Sequence, residues 1–233
     1  MNFKVIFELD GTGIYYDPNE PLHLDALLVW ALAPMQTDRR DIDRSDRPDD
    51  IKIPVLRSKI HGSDVWHASA VFPEQDGIET LRFWRKKFDQ SRIHLTSGSP
   101  NLQNGVYREY NMPVPLLLVP RMVAYASGNR KEVKRILKKN VTALGKKRAY
   151  GYGRIVNIEC EETSEDWSLT ADGVAMRWLP HPEGVRQVRP APPYWNNIDR
   201  VACCEVGSRY DASQNMHKIG IVSIRVLNIV VRA

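Results

Sequence analysis

Cysteine is scarce in this chain. There are three among 233 residues, Cys160, Cys203 and Cys204, and none is in CxxC spacing. A disulfide framework or zinc cluster is not expected, and the thiols fit a reducing cytoplasm. Adjacent Cys203 and Cys204 read as small, partly buried hydrophobes. Long uncharged apolar runs are missing too, so no membrane span is expected. The most apolar stretch, 219–231, is interrupted by Arg225 and Asn228. The opening MNFKVIFELDGTG lacks the basic n-region and apolar core of a signal peptide. No HExxH, paired metal-ligand spacing or GxSxG occurs, so the sequence offers no metal site, cofactor site or acyl-transfer nucleophile. Two glycine motifs are excluded as well. A P-loop needs lysine after its second glycine, where Tyr152 follows Gly151, and a dinucleotide fingerprint needs a glycine where Val156 stands.

What the sequence has is positive charge in one place. Residues 130–154 hold ten Lys or Arg and a single acid, Glu132, for a net +9. The whole chain carries +5, so the remainder sums to −4. The first part of this stretch reads as a helix. Val133, Ile136, Leu137, Val141 and Leu144 recur at helical spacing, Asn129 with Glu132 forms a capping-box signature, and Gly145 is a C-terminal stop. Lys134 and Lys138 lie on its basic face. The second part, Gly145 to Arg154, is a turn with glycines at 145, 151 and 153, cations Lys146, Lys147, Arg148 and Arg154, and rings Tyr150 and Tyr152. Glycines predict a tight loop with exposed amides, and the cations and rings are what a single-stranded phosphodiester chain needs. A solvated helix face followed by an ordinary helix-ending turn is the plainer alternative.

The rest of the chain supplies the frame. Phe3 to Asp10 alternates as a strand, with Phe3, Val5, Phe7 and Leu9 on one face and Lys4, Ile6 and Glu8 on the other. After the turn 10–13, Leu22 to Leu32 reads as a helix ended by Pro34. Residues 38–50 mix four Arg with six Asp and read as a surface loop. Trp66, Ala68, Ala70 and Phe72 predict a second strand, and Thr80 to Phe88 another. The latter interleaves Phe83 and Trp84 with Arg82, Arg85, Lys86 and Lys87, making Trp84, Arg85 and Lys86 a second RNA-facing candidate; an exposed basic strand is the equal alternative. Residues 91–118 lack periodicity, which for so long a connection points to function. Strands follow at 121–126 and 154–161. The order is βαββαβ with an insertion: an α+β, ferredoxin-like domain over 1–161 and a β-rich, proline-punctuated region over 162–233.

The glycine loop resembles that of the CRISPR-associated RAMP superfamily, whose members carry it between the last helix and last strand of a ferredoxin-like, RNA-recognition-motif fold. The familiar form is GxG, five residues, GxG. Here Gly151 and Gly153 keep the second pair, while Ala143 replaces the partner of Gly145. The segment PLHLDALLVWAL (21–32), with FWRKKF (83–88) and ACCEV (202–206), resembles the Cas-five-like subunit of type IV CRISPR effectors.

That resemblance implies a non-catalytic RNA-binding subunit capping the 5′ handle of CRISPR RNA, in a ribonucleoprotein complex serving antiviral defence. Its partners are the repeated backbone subunit, the large subunit and, through the complex, target DNA. It also implies a thumb-like hairpin within about 73–118. The competing function is a metal-independent CRISPR repeat endoribonuclease. Among six histidines, His23 and His67 are the candidates for its acid and base, though no spacing pairs them. As a lone pair on the first helix, His23 and Asp25 read as helix-start polar residues.

Overall fold

The computed structural model describes residues 1–36, 51–95 and 98–210. The mixed-charge stretch 38–50 and the apolar stretch 219–231 fall outside them. The architecture of the described residues is α+β: two α-helices and several antiparallel sheets. In chain order the elements begin with β1 (Asn2–Leu9), α1 (Leu24–Gln36), β2 (Arg57–Ile60), β3 (Ser63–Trp66), β4 (Phe72–Pro73) and β5 (Ile78–Lys86). Then come β6 (Tyr110–Leu118), β7 (Arg121–Ser127), α2 (Arg130–Asn140) and β8 (Ile155–Glu162). Five short strands close the described chain: β9 (Thr170–Ala171), β10 (Val174–Ala175), β11 (Leu179–Pro180), β12 (Arg186–Val188) and β13 (Val201–Cys204).

The main sheet runs β4-β7-β1-β8, with every neighbouring pair antiparallel. Alternation along β1 sends Phe3, Val5 and Phe7 into one core, where Leu24, Leu27 and Leu28 of α1 and Val133, Ile136 and Leu137 of α2 meet them. Ile6, expected among the polar residues, is also buried. It joins Phe72, Val123, Tyr125, Ala171 and Met176 in a second core on the opposite face. The helices therefore cover one face of the sheet, and residues between Trp167 and Val206 cover the other. Period-2 reasoning assigns one wet face to an antiparallel sheet, and it misses a face that a later segment covers.

Two helix ends differ from expectation. α1 runs on through Pro34 to Gln36. α2 ends at Asn140, where Val141 is the C-cap and its amide donates to the Leu137 carbonyl. Val141 and Leu144 are buried as their spacing suggests, but they lie beyond the helix. Gly145 is therefore not its stop. The N-terminus is as read: the Asn129 side chain accepts from the Glu132 amide. The Glu132 carboxylate turns instead to Arg135.

The expected strand over 66–72 is broken. It resolves into β3, single bridges at Ala68 and Ala70, and the short β4. Residues 110–118, read as aperiodic, form β6. Tyr110, Pro113 and Pro115 obscure the alternation, yet β5 and β6 pair over nine positions, from Ile78 opposite Leu118 to Lys86 opposite Tyr110. This antiparallel hairpin occupies the predicted insertion. A bridge between Ile14 and Leu117 ties its base to the turn after β1. Among the described residues no helix is long and apolar enough to cross a membrane.

Candidate nucleic-acid interface

The glycine loop is built against the turn that follows β1. Gly153 donates its amide to the Gly13 carbonyl at 2.8 Å, and the Leu144 amide donates to the Gly153 carbonyl at 2.8 Å. Gly153 has φ +68°, and a Cβ there would collide with the Leu144 carbonyl. Gly145, at φ +76°, also lies close against the Tyr15 carbonyl, which would stand 2.6 Å from an added Cβ. These two glycines are required by the chain's own backbone. Gly151 differs. It closes the short 3-10 turn Arg148–Tyr150 at φ +88°, and none of the described residues stands within 4 Å of where its Cβ would be. Exposed amides were expected throughout the loop. Instead the amides of Tyr150 and Gly151 donate to the carbonyls of Lys147 and Arg148, and that of Gly153 to Gly13. Side chains, more than bare amides, are what the loop offers outward.

The loop cations are deployed separately. Lys146 Nζ lies 2.9 Å from Glu20 Oε2, and that hydrogen bond raises its pKa. Lys147 Nζ stands 3.9 Å from the centroid of the Trp84 ring. The Arg148 guanidinium lies over Trp30 at 4.7 Å. Between α2, the loop and the edge strand β8 is an open groove of about 500 Å³. Lys138, Arg148 and Arg154 line it, with Gly151 and Asn157 among the other walls. One acid sits by its rim: Thr12 hydrogen bonds, with Arg154 nearby, hold Asp10 below the usual carboxylate range.

The hairpin reaches the same place. Trp84, on β5, packs on Tyr150 of the loop at 4.9 Å and on Tyr110 of β6 at 4.9 Å. The two sequence-predicted candidate surfaces are thus one surface. Not every predicted residue is equally available on it. Arg85 Nε donates to Asn111 and Lys86 Nζ to the Val106 carbonyl, so both are engaged within the hairpin. Lys134 is half-buried on α2, and Tyr152 is half-buried in the loop. Trp30 belongs to this surface and was not among the predicted residues; its only sequence signal is a tryptophan off the apolar stripe of α1.

The candidate nuclease histidines lie elsewhere. His23 is 1% exposed, its ring packed 4.7 Å from both Trp178 and Tyr194. Among the described residues neither ring nitrogen has a hydrogen-bond partner, and burial, reinforced by Arg177, holds its pKa well below the ordinary imidazole value. Its neighbour Asp25 anchors a buried cluster. Arg177 Nη2 lies 3.0 Å from Asp25 Oδ2, and Tyr194 OH lies 2.8 Å from the same oxygen. Burial pushes the Asp25 carboxyl upward, and Arg177 and Tyr194 oppose it. Arg177 also donates to the carbonyls of Trp66, Ala68 and Pro190. Asp25 and Arg177 are both fully buried, and together they pin the segment that carries Arg177 to the start of α1. His67 is 2.9 Å from Ser58 Oγ and 3.7 Å from Asp166. Among the described residues no group of three His, Cys, Asp or Glu could hold a metal ion.

The family model of CRISPR type IV associated protein Csf3 matches this chain over residues 1–104 and again over 101–206. The chain belongs to that family. Csf3 is a Cas-five-like RAMP subunit of type IV systems. The match spans β1, both helices, the hairpin, the glycine loop and the C-terminal strands, so all residues of the surface just described lie within it. No curated protein matches the chain.

Proposed function

We propose that this Csf3-family chain is a non-catalytic RNA-binding subunit that caps the 5′ handle of CRISPR RNA in a type IV effector complex. The observation that carries the reading is the meeting of hairpin and glycine loop. Trp84, Tyr150 and Lys147 come together beside a groove bearing Lys138, Arg148 and Arg154. Cations track a phosphodiester backbone, and rings beside them take unpaired bases, which is how sequence-tolerant single-strand sites work. The β4-β7-β1-β8 order with two helices on one face supports a ferredoxin-like, RNA-recognition-motif core, and the β5–β6 hairpin supports a thumb. Membership of a type IV family supports partners among the other subunits of such a complex. They are the repeated backbone subunit, the large subunit and, through the complex, target DNA, all in the cytoplasm.

The absence of cutting is part of the proposal. A general acid or base must come within hydrogen-bond reach of the proton it moves. His23 is enclosed by Trp178 and Tyr194, and His67 is turned toward Ser58 and Asp166. The test is to purify the tagged chain from cells carrying the complete type IV locus and sequence the RNA it retains. CRISPR RNA with one defined 5′ end is expected, and labelled repeat RNA should survive incubation with the isolated chain. Retention of no CRISPR RNA would overturn the binding role. A discrete cleavage product lost in His67→Ala would overturn the non-catalytic one.

A further inference from the structure

We infer that Trp30 is a stacking platform for one unpaired base of a single-stranded RNA whose backbone lies in the Arg148–Arg154 groove. The inference rests on the RNA-binding reading and adds a residue to it. Trp30 is 49% exposed, whereas its α1 neighbours Leu27, Leu28, Ala31 and Leu32 are buried. An indole on the outer side of a helix is not held there by core packing. What covers it is the guanidinium of Arg148, 4.7 Å from its centroid, and Arg148 is itself a wall of the groove. The same arrangement recurs where Lys147 sits over Trp84. Two tryptophans from different elements therefore each hold one of the loop's cations.

A cation over an indole is held by the ring's negative face, and a phosphate offers that cation a full charge and shorter contacts. When a phosphate enters the groove, Arg148 has a better partner, and the ring face it leaves is flat, apolar and open. One nucleotide supplies both groups: its phosphate to Arg148 and its base to Trp30. The groove cations Lys138, Arg148 and Arg154 give the charge complementarity that selects a polyanion over an apolar peptide.

The test compares the full-length chain with Trp30→Leu and Trp30→Phe by fluorescence anisotropy, using labelled single-stranded RNA and a set of the same RNA made abasic at one position at a time. Trp30→Leu should weaken binding by about 5- to 150-fold, the range for one lost base–aromatic stack. Trp30→Phe should recover most of it. The salt dependence should be unchanged, because no charge is removed. At one abasic position the wild-type and Leu variants should bind alike. Two results overturn the platform. Equal binding by wild type and Trp30→Leu is one. The other is a loss accompanied by a flattened salt slope, which would mean that Trp30 acts only by positioning Arg148. If the wild-type chain binds no RNA at all, it is the RNA-subunit reading that falls.

Discussion

Neutralising the groove arginines gives the most direct quantitative check on where RNA runs. Lys138, Arg148 and Arg154 line the groove, and each phosphate neutralised on a single strand adds about 0.7 to the slope of log affinity against log salt. Three contacts predict a slope contribution of about −2 for the wild-type groove. Arg148→Gln with Arg154→Gln should flatten it by about 1.4, for any RNA sequence. Between 50 and 200 mM salt, wild type should then lose about sevenfold more affinity than the double variant. Lys146→Gln is the internal control. Its ammonium already lies 2.9 Å from Glu20, so RNA must displace a carboxylate before counterion release counts. Its slope should therefore change by much less than that of either arginine. Filter binding at several salt concentrations measures all three proteins, after circular dichroism shows each to be folded. A double variant with unchanged slope and affinity would refute the groove as the phosphate path. So would a larger effect at Lys146 than at Arg148 and Arg154.

Three further outcomes concern the scaffold. Arg177→Met leaves Asp25 buried without its cation and should cost about 3–5 kcal/mol in urea unfolding, with much of it regained in the Asp25→Leu, Arg177→Met double variant. His23 has a folded-state pKa below its unfolded value, so the unfolded chain binds the extra proton. Stability should therefore fall as pH drops below about 6.5, by at most about 1.4 kcal/mol per unit, and His23→Leu should remove that part of the slope in pH-dependent melts. Gly151→Ala should cost about 1–2 kcal/mol for its left-handed backbone alone, whereas Gly153→Ala should cost more, because its Cβ also meets the Leu144 carbonyl. Equal losses in denaturant would show that the loop relaxes around position 153.

Much of the local structure could be read directly from residue spacing. The alternation of Phe3, Val5 and Phe7 marked β1, and the Val133, Ile136, Leu137 stripe with Asn129 ahead of it marked α2 and its start. The end of α2 is hidden from spacing because Val141 and Leu144 continue the apolar pattern after the helix has stopped; burial rewards an apolar residue whatever its backbone is doing. β6 is hidden because Pro113 and Pro115 break its pattern. A two-stranded hairpin tolerates proline where its edge faces outward, and among the described strands β6 pairs only with β5, apart from the single bridge of Leu117 to Ile14.

The division between sequence and tertiary structure follows from the range of the forces involved. By itself the sequence determined the α+β class, the concentration of positive charge in 130–154, and the presence of rings among those charges. Each is a property of neighbours along the chain. Tertiary structure decided which of the loop cations line the groove. It turned Lys146 to Glu20, Lys147 to Trp84 and Arg148 to Trp30, and it spent Gly145 and Gly153 on the chain's own backbone. It also buried His23 and Asp25 beneath Arg177 and Tyr194, residues far along the chain that no local pattern connects to α1. Periodicity records which side of an element is apolar. Which distant element arrives to cover it depends on the packing of the whole chain.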